Sequence, residues 1–178
     1  TSATEEYNGS SWSSSNNVIN AVRGASGGGS QNAMLKMGGA TPTVVACTEE
    51  YDGSTWAAGN ALITARFQTR TQYGTQNDGI LVSGATPTLV TCVETYDGTT
   101  WSASTANSIA RNMASGGGNC TSNIVFFGGS DSPAYLSCTE EFDCTSWSSG
   151  AGLPETMGDS MGAGSADSAF IAGGENPP

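Results

Sequence analysis

The sequence predicts an all-β fold made of a repeated four-stranded unit, and two recurring patterns predict it. A nine-residue segment resembling TEEYDGSTW occurs four times and ends at tryptophans spaced 44, 45 and 46 residues apart. Between these segments lies a Gly-rich stretch with a short apolar run and a closing glycine, as in 112–129. A period in the mid-forties built from short strands indicates the blades of a β-propeller. No useful apolar pattern has the 3.6-residue period of a helix, so we expect almost no helix.

Each unit divides into four strands, a to d. Strand a ends in a Gly/Ser/Asn turn, and strand b is the apolar run, such as AMLKMGG (33–39) or IVFFGG (124–129). Strand c is the TEEY segment, and strand d carries the tryptophan. In three units an Asn-Gly or Asp-Gly turn joins strands c and d, which indicates a hairpin because both residues tolerate positive φ.

The phase of the repeat predicts how the sheets close. The chain begins at strands c and d (2–13) and ends after strands a and b (158–174). These two halves are expected to form one mixed blade, which would remove the open sheet edges. We therefore predict a single domain over residues 1–178, a small β-propeller of four four-stranded blades closed by that pairing. The alternative is a piece of a longer array.

The repeat resembles the kelch type, which combines a double glycine after strand b, a Glu-x-Tyr-Asp segment, a later tryptophan and an Ala-Arg before the next blade. The paired glycines here are Gly38/Gly39, Gly128/Gly129 and Gly173/Gly174, with Ser83/Gly84 in one unit. The resemblance implies a kelch propeller, although four blades depart from the usual six or seven. The YDGSTW variant is similar to repeats of phage structural proteins and environmental secreted proteins.

Residues that recur once per unit are predicted to be structural. The aromatic residues are expected to fill the wedges between sheets, with a row of sugar-stacking rings as the alternative. The glutamates are expected to accept backbone N–H groups or to pair with arginines of a neighbouring blade, which leaves one glutamate without an arginine; a cation-binding acidic ring is the alternative. The predicted set is Trp12, Trp56, Trp101, Trp147, Tyr7, Tyr51, Tyr96, Phe142, Glu5, Glu49, Glu94, Glu140, Arg23, Arg66 and Arg111. Met157 takes the arginine's place in the fourth unit.

Composition excludes several functional classes. The chain has five basic and sixteen acidic residues, a net charge of −11 and no histidine. Such a surface repels nucleic acid and anionic lipid, and no apolar run approaches the ~18 residues of a membrane helix. Without histidine there is no Ser-His-Asp or Cys-His triad, no usual zinc site and no histidine-ligated copper. We therefore predict no enzymatic activity and no cofactor or metal.

The five cysteines fall into two groups. Cys47, Cys92 and Cys138 share one repeat position before strand c, too far apart to bond, and are interpreted as small buried side chains. Cys120 and Cys144 each occur in only one unit, in the a–b turn and the c–d turn, which lie at the same end of a blade. They predict a disulfide, and with it an oxidising location; two unrelated thiols are the alternative.

The predicted function is a non-enzymatic structural or adhesion module of an extracellular or virion assembly, with other protein subunits as partners. The main alternative is a secreted, lectin-like propeller that binds glycans. Its candidate loop aromatics, Tyr73 and Tyr135, do not recur in every unit, which argues against a repeated sugar site. A scaffold that grips a peptide on the ring face is a third possibility. Asn8 and Asn119 fit glycosylation sequons.

Overall fold

A computed structural model of the chain describes residues 1–69, 73–119 and 123–176. In this part of the chain it contains twenty β-strands and no helix, so the all-β prediction is confirmed. The described residues also include no helix long and apolar enough to cross a membrane.

The strands follow the predicted a-b-c-d order along the chain. The N-terminal hairpin consists of β1 (Thr4–Tyr7) and β2 (Trp12–Ser15). Blade 1 consists of β3 (Ser26–Ser30), β4 (Ala33–Met37), β7 (Thr48–Tyr51) and β8 (Trp56–Gly59), with the short hairpin β5 (Ala40–Thr41) and β6 (Thr43–Val44) inserted. Blade 2 consists of β9 (Tyr73–Thr75), β10 (Asp78–Val82), β13 (Val93–Tyr96) and β14 (Trp101–Ser104), with β11 (Ala85–Thr86) and β12 (Thr88–Leu89) inserted. Blade 3 consists of β15 (Ser115–Gly118), β16 (Ile124–Phe127), β17 (Thr139–Phe142) and β18 (Trp147–Ser149). The C-terminal hairpin consists of β19 (Met161–Ser165) and β20 (Ser168–Ala172).

The three blades are antiparallel sheets with one shared register. The first residue of strand c faces the last residue of strand b in each, as in the pairs Met37↔Thr48, Val82↔Val93 and Phe127↔Thr139. The shared register lets residues of different units be compared position by position. The a strands of successive units pack side by side, with β3 against β9 and β15 against β19.

The core lies between neighbouring sheets. One buried cluster joins β10 and β13 of blade 2 to β16 and β17 of blade 3, and includes Ile80, Val82, Ile124 and Phe126. A second joins blades 1 and 2 and includes Leu35, Met37, Leu81 and Trp101. Strand b is therefore buried on both faces in blades 2 and 3, which explains its continuous apolar run there. In blade 1 only Leu35 and Met37 are buried, and they alternate with the exposed Met34 and with Lys36.

The two terminal hairpins differ from the prediction. Within the described residues β1 pairs only with β2, and β19 pairs only with β20. The N-terminal hairpin packs against blade 1, and the C-terminal hairpin packs against blade 3. In the part of the chain that the structure describes, the predicted mixed blade is not formed, and the sheets there are three complete blades flanked by two half-blades.

Candidate functional site

A repeated set of hydrogen bonds joins each unit to the one before it. The indole N–H of each tryptophan from the second unit onward donates to a threonine of the preceding unit. The acceptors are Thr4 Oγ1 for Trp56 (3.0 Å), Thr48 Oγ1 for Trp101 (3.0 Å) and the Thr105 carbonyl oxygen for Trp147 (2.9 Å). The third bond goes to the backbone because Val93 replaces the strand-c threonine of blade 2. The tryptophans thus bind one sheet to the next as well as filling space.

The strand-c tyrosines make a second contact between units. The Tyr51 hydroxyl donates to Glu6, and the Tyr96 hydroxyl donates to Glu50. Burial and the bond to Glu50 raise the pKa of Tyr96, and the bond from Tyr51 lowers the pKa of Glu6. In blade 3 the tyrosine is replaced by Phe142, and the acid that would accept its proton is replaced by Thr95. Donor and acceptor are lost together.

The first glutamate of strand c is buried in every complete blade. Glu49 accepts the backbone N–H groups of Ile19 (2.8 Å) and Asn20 (2.9 Å), which belong to the loop after the previous strand d. Glu94 accepts those of Ile63 and Thr64 in the same way, at 2.8 and 3.1 Å. Although burial opposes its ionisation, the bonds from Lys36 and the two amides keep the pKa of Glu49 below its ordinary value.

A cation neutralises each of these buried carboxylates. Arg66 Nη1 lies 2.9 Å from Glu94 Oε1, and Arg111 pairs with Glu140; both arginines are fully buried. In blade 1 the cation is Lys36, whose Nζ lies 2.8 Å from Glu49 Oε1. Lys36 lies on strand b, and its place in the repeat does not predict this role.

Arg23 does not match the other two arginines, contrary to the sequence-based expectation. Its backbone bridges to Ala40 as that of Phe67 bridges to Ala85, so Arg23 is equivalent to Phe67 and Val22 is equivalent to Arg66. A shift of one residue turns a side chain to the opposite face of extended backbone, and Arg23 is exposed. Counting from the tryptophans reveals the shift: Arg66 and Arg111 follow by ten residues and Arg23 by eleven.

The terminal hairpins expose the residues that the blades bury. Trp12 is 68% exposed and Tyr7 46%, whereas Trp101 is 7% exposed and Tyr96 2%. The prediction that every tryptophan fills a wedge between sheets is therefore wrong for Trp12, because no described sheet covers that face. Glu5 is also exposed and has no ion-pair partner within 1–69, 73–119 and 123–176. At the other end, Met161 and Phe170 are exposed on β19 and β20.

Cys47, Cys92 and Cys138 are the cysteines that were predicted to be small buried side chains. The repeat-position cysteines are only partly buried, and the guanidinium groups of Arg66 and Arg111 donate to the sulfurs of Cys92 and Cys138. Burial raises the pKa of the Cys47 thiol.

Cys120 and the side chain of Tyr73 lie outside the described residues. The Tyr135 hydroxyl donates to Glu175 Oε2 at 2.5 Å.

One cleft between the sheets carries little chemistry. It has a volume of about 530 Å³ and lies between β3, β15 and β19, with Met161 and Phe170 at its wall. None of the residues that line it has an ionisable side chain. Among the described residues, no group of three or more Asp, Glu or Cys side chains is arranged to hold a metal ion. The features that stand out in this molecule are therefore its two open hairpins.

Comparison with known proteins supports the fold. No protein-family model matches the chain, and no curated protein matches it. Among solved structures, the chain is similar to the structure of YjhT, with a TM-score of 0.80 and 12% sequence identity. The match covers 97% of this chain and 66% of that one, so the chain spans less than two thirds of that neighbour's length. This similarity and the repeated four-stranded sheets fit a β-propeller-like fold.

Proposed function

We propose that this protein is a non-enzymatic structural or adhesion module of an extracellular or virion assembly, built on kelch-type repeats. The observation that carries the proposal is the pair of terminal hairpins. Both have an open strand edge and expose large apolar side chains, among them Trp12 and Phe170. Open edges and clustered apolar groups favour contact with other protein chains. The expected partners are protein subunits, identical or different.

The kelch assignment and the blade number belong to this proposal. The double glycines, the Glu-x-aromatic pairs and the buried arginines support kelch-type repeats, and the YDGSTW variant supports a relation to phage structural and secreted proteins. A closed four-bladed ring would need β20 to pair with β1, which is not the case in the described residues.

The native particle provides the direct test. Producing cultures are separated into cells, secreted medium and sedimenting particles, and the chain is quantified in each fraction by mass spectrometry. We expect it outside the cells, at a fixed stoichiometry to other proteins of one assembly. A monomer confined to the cell interior would overturn the proposal.

The lectin-like alternative is checked by a glycan array. The Tyr7–Trp12 pair is the most exposed described aromatic pair, with ring centroids 5.2 Å apart. Its counterparts in blades 1 and 2 are covered by the preceding unit, so its exposure reflects a missing neighbour and not a repeated sugar platform. Saturable glycan binding that Trp12→Ala abolishes would favour the lectin instead.

The disulfide between Cys120 and Cys144 is part of this proposal, and it would imply an oxidising location. In blades 1 and 2 the a–b and c–d turns do meet: a Cβ atom built at Gly53 lies 3.1 Å from Asn32 Oδ1, and one at Gly98 lies 3.0 Å from Asn77 Oδ1. Cys144 takes the place of those glycines and has a φ of 71°. Non-reducing peptide mapping of secreted protein should recover 120 linked to 144. Finding five alkylatable thiols under denaturation would exclude the bridge.

A further inference from the structure

We propose that the open edge of β20 is a docking site for the c–d hairpin of another kelch-type unit whose second strand-c residue is uncharged. The chain's own N-terminal hairpin, which has Glu5 at that place, is disfavoured there. The inference goes beyond the proposed function, because it states which chemistry the edge accepts, and it is tested on the isolated chain.

The glycines after β20 show that the edge lacks its next unit. In blades 1 and 3 the second glycine donates its N–H to the unit that follows, from Gly39 to the Arg66 carbonyl oxygen (2.9 Å) and from Gly129 to that of Met157 (2.7 Å). Gly174 makes no such bond within the described residues. A Cβ atom at Gly128 would lie 2.6 Å from the Met157 oxygen, whereas one at Gly173 would meet nothing within 4 Å.

The shared register identifies which residue a docked strand places opposite β20. The second residue of strand c faces the second-last residue of strand b in every blade: Lys36↔Glu49, Leu81↔Glu94 and Phe126↔Glu140. Counting back from the double glycine, the equivalent residue of β20 is Ile171. A docked strand therefore brings its second residue to Ile171.

Backbone hydrogen bonds identify the other residues around that place. Gly39 and Gly84 bind the carbonyl oxygens of Arg66 and Arg111, and Gly129 binds that of Met157, so Met157 stands where blades 2 and 3 have a buried arginine. Leu62 donates its N–H to the Ala46 carbonyl oxygen, and Leu153 donates to that of Ser137 at the same repeat position. Pro154 is therefore the counterpart of Ile63. Met157 thus replaces an arginine that pairs with a glutamate, and Pro154 replaces a residue whose backbone N–H binds that glutamate.

These differences remove what stabilises a carboxylate there. Met157 and Ile171 supply no cation. Pro154 has no N–H to replace that of Ile63, and the next residue, Glu155, adds a negative charge where blade 2 has Thr64. A buried carboxylate without a cation or sufficient donors is strongly disfavoured. An uncharged residue would pack against Met157 and Ile171 without that penalty.

Two other positions favour a hairpin of the same repeat type. Glu141 is exposed and is equivalent to Glu6 and Glu50, which accept the hydroxyl protons of Tyr51 and Tyr96. Thr139 is equivalent to Thr48, which accepts the indole N–H of Trp101. The docked hairpin should therefore have a tyrosine at the fourth place of strand c and a tryptophan at the start of strand d.

Peptide binding to the full chain tests the proposal. The probes are labelled synthetic peptides of residues 3–15, with the native sequence or with Glu5→Val, and binding is measured by fluorescence anisotropy at pH 7. We expect the Glu5→Val peptide to bind about tenfold tighter or more, because no carboxylate is buried. Adding Tyr7→Phe to that peptide should weaken its binding severalfold.

Substitution in the chain should reverse the preference. With Met157→Arg the native peptide should bind more tightly than the Glu5→Val peptide, whereas the uncharged control Met157→Gln should not change the order; circular dichroism checks that both variants fold. Native peptide binding the unmodified chain at least as tightly would point to a second copy as the occupant and overturn the proposal. Binding of neither peptide would also overturn it. Neither result depends on where the native protein is located.

Discussion

The N-terminal hairpin and blade 2 contain the same local motif in different surroundings. The rings of Tyr7 and Trp12 lie 5.2 Å apart and those of Tyr96 and Trp101 lie 4.9 Å apart, with similar tilts. Trp12 is nevertheless 68% exposed and Trp101 only 7%. The nine-residue segment therefore determines its own hairpin and ring pair, whereas the preceding unit determines whether the pair is buried. Matched substitutions in the two regions separate these contributions.

The buried ion pair should show the largest difference. Glu140→Ala leaves the fully buried Arg111 without its carboxylate and the Ser108 N–H without its acceptor. We expect the free energy of unfolding to fall by about 3–5 kcal/mol. The matched change Glu5→Ala, at an exposed position, should alter it by less than about 0.5 kcal/mol. Urea denaturation measures both, and equal losses would contradict the comparison.

The tryptophans should differ by nearly as much. Trp101→Ala removes a buried indole and its 3.0 Å hydrogen bond to Thr48, at an expected cost of about 3 kcal/mol or more. Trp12→Ala, at an exposed position, should cost less than about 1 kcal/mol in the isolated chain. Both values come from the same denaturation experiment. A large loss at Trp12 would mean that a further sheet covers it in solution.

The tyrosine hydroxyl provides a finer comparison. Tyr96→Phe removes the hydrogen-bond donor to Glu50, and we expect a loss of about 1.5–3 kcal/mol, typical of a hydrogen bond to a charged acceptor. Tyr7→Phe removes a hydroxyl from an exposed ring and should have no measurable effect. Blade 3 shows that the contact is dispensable when both partners change, since it combines Phe142 with Thr95. The double variant Tyr96→Phe with Glu50→Thr should therefore be more stable than Tyr96→Phe alone.

The sequence predicts the local structure well because its signals are local. The 45-residue period, the Asp-Gly turns and the apolar b strands predict all-β units with the observed strand order. The ion pairs were harder to predict, since Lys36 reaches Glu49 from strand b and Arg23 lies one residue away from the arginine position. The place of Arg23 depends on which face a side chain takes after an irregular loop, whereas that of Lys36 depends on the register that sets it opposite Glu49. Whether the two terminal hairpins pair also depends on the geometry between units. The phase of the repeat does not reveal that Met157 and Pro154 stand where blade 2 has the arginine and the backbone N–H that bind Glu94.

The c–d turns extend the comparison to acid pH. Asp52 Oδ1 accepts the backbone N–H groups of Ser54 (2.8 Å) and Thr55 (2.7 Å), and Asn8 binds Ser10 and Ser11 in the same way without a charge. The hydrogen bonds from Thr55 and Ser54 lower the pKa of Asp52 from 3.8 to about 2. Because this pKa is depressed in the folded state, the turn's contribution is complete well above pH 3.8 and is lost as the pH falls toward 2. Asp52→Asn, which copies the hairpin's turn, should lose less stability than the native chain between pH 5 and pH 2, and urea midpoints across that range measure it. Parallel curves for the two proteins would show that the turn carboxylate does not contribute to acid sensitivity.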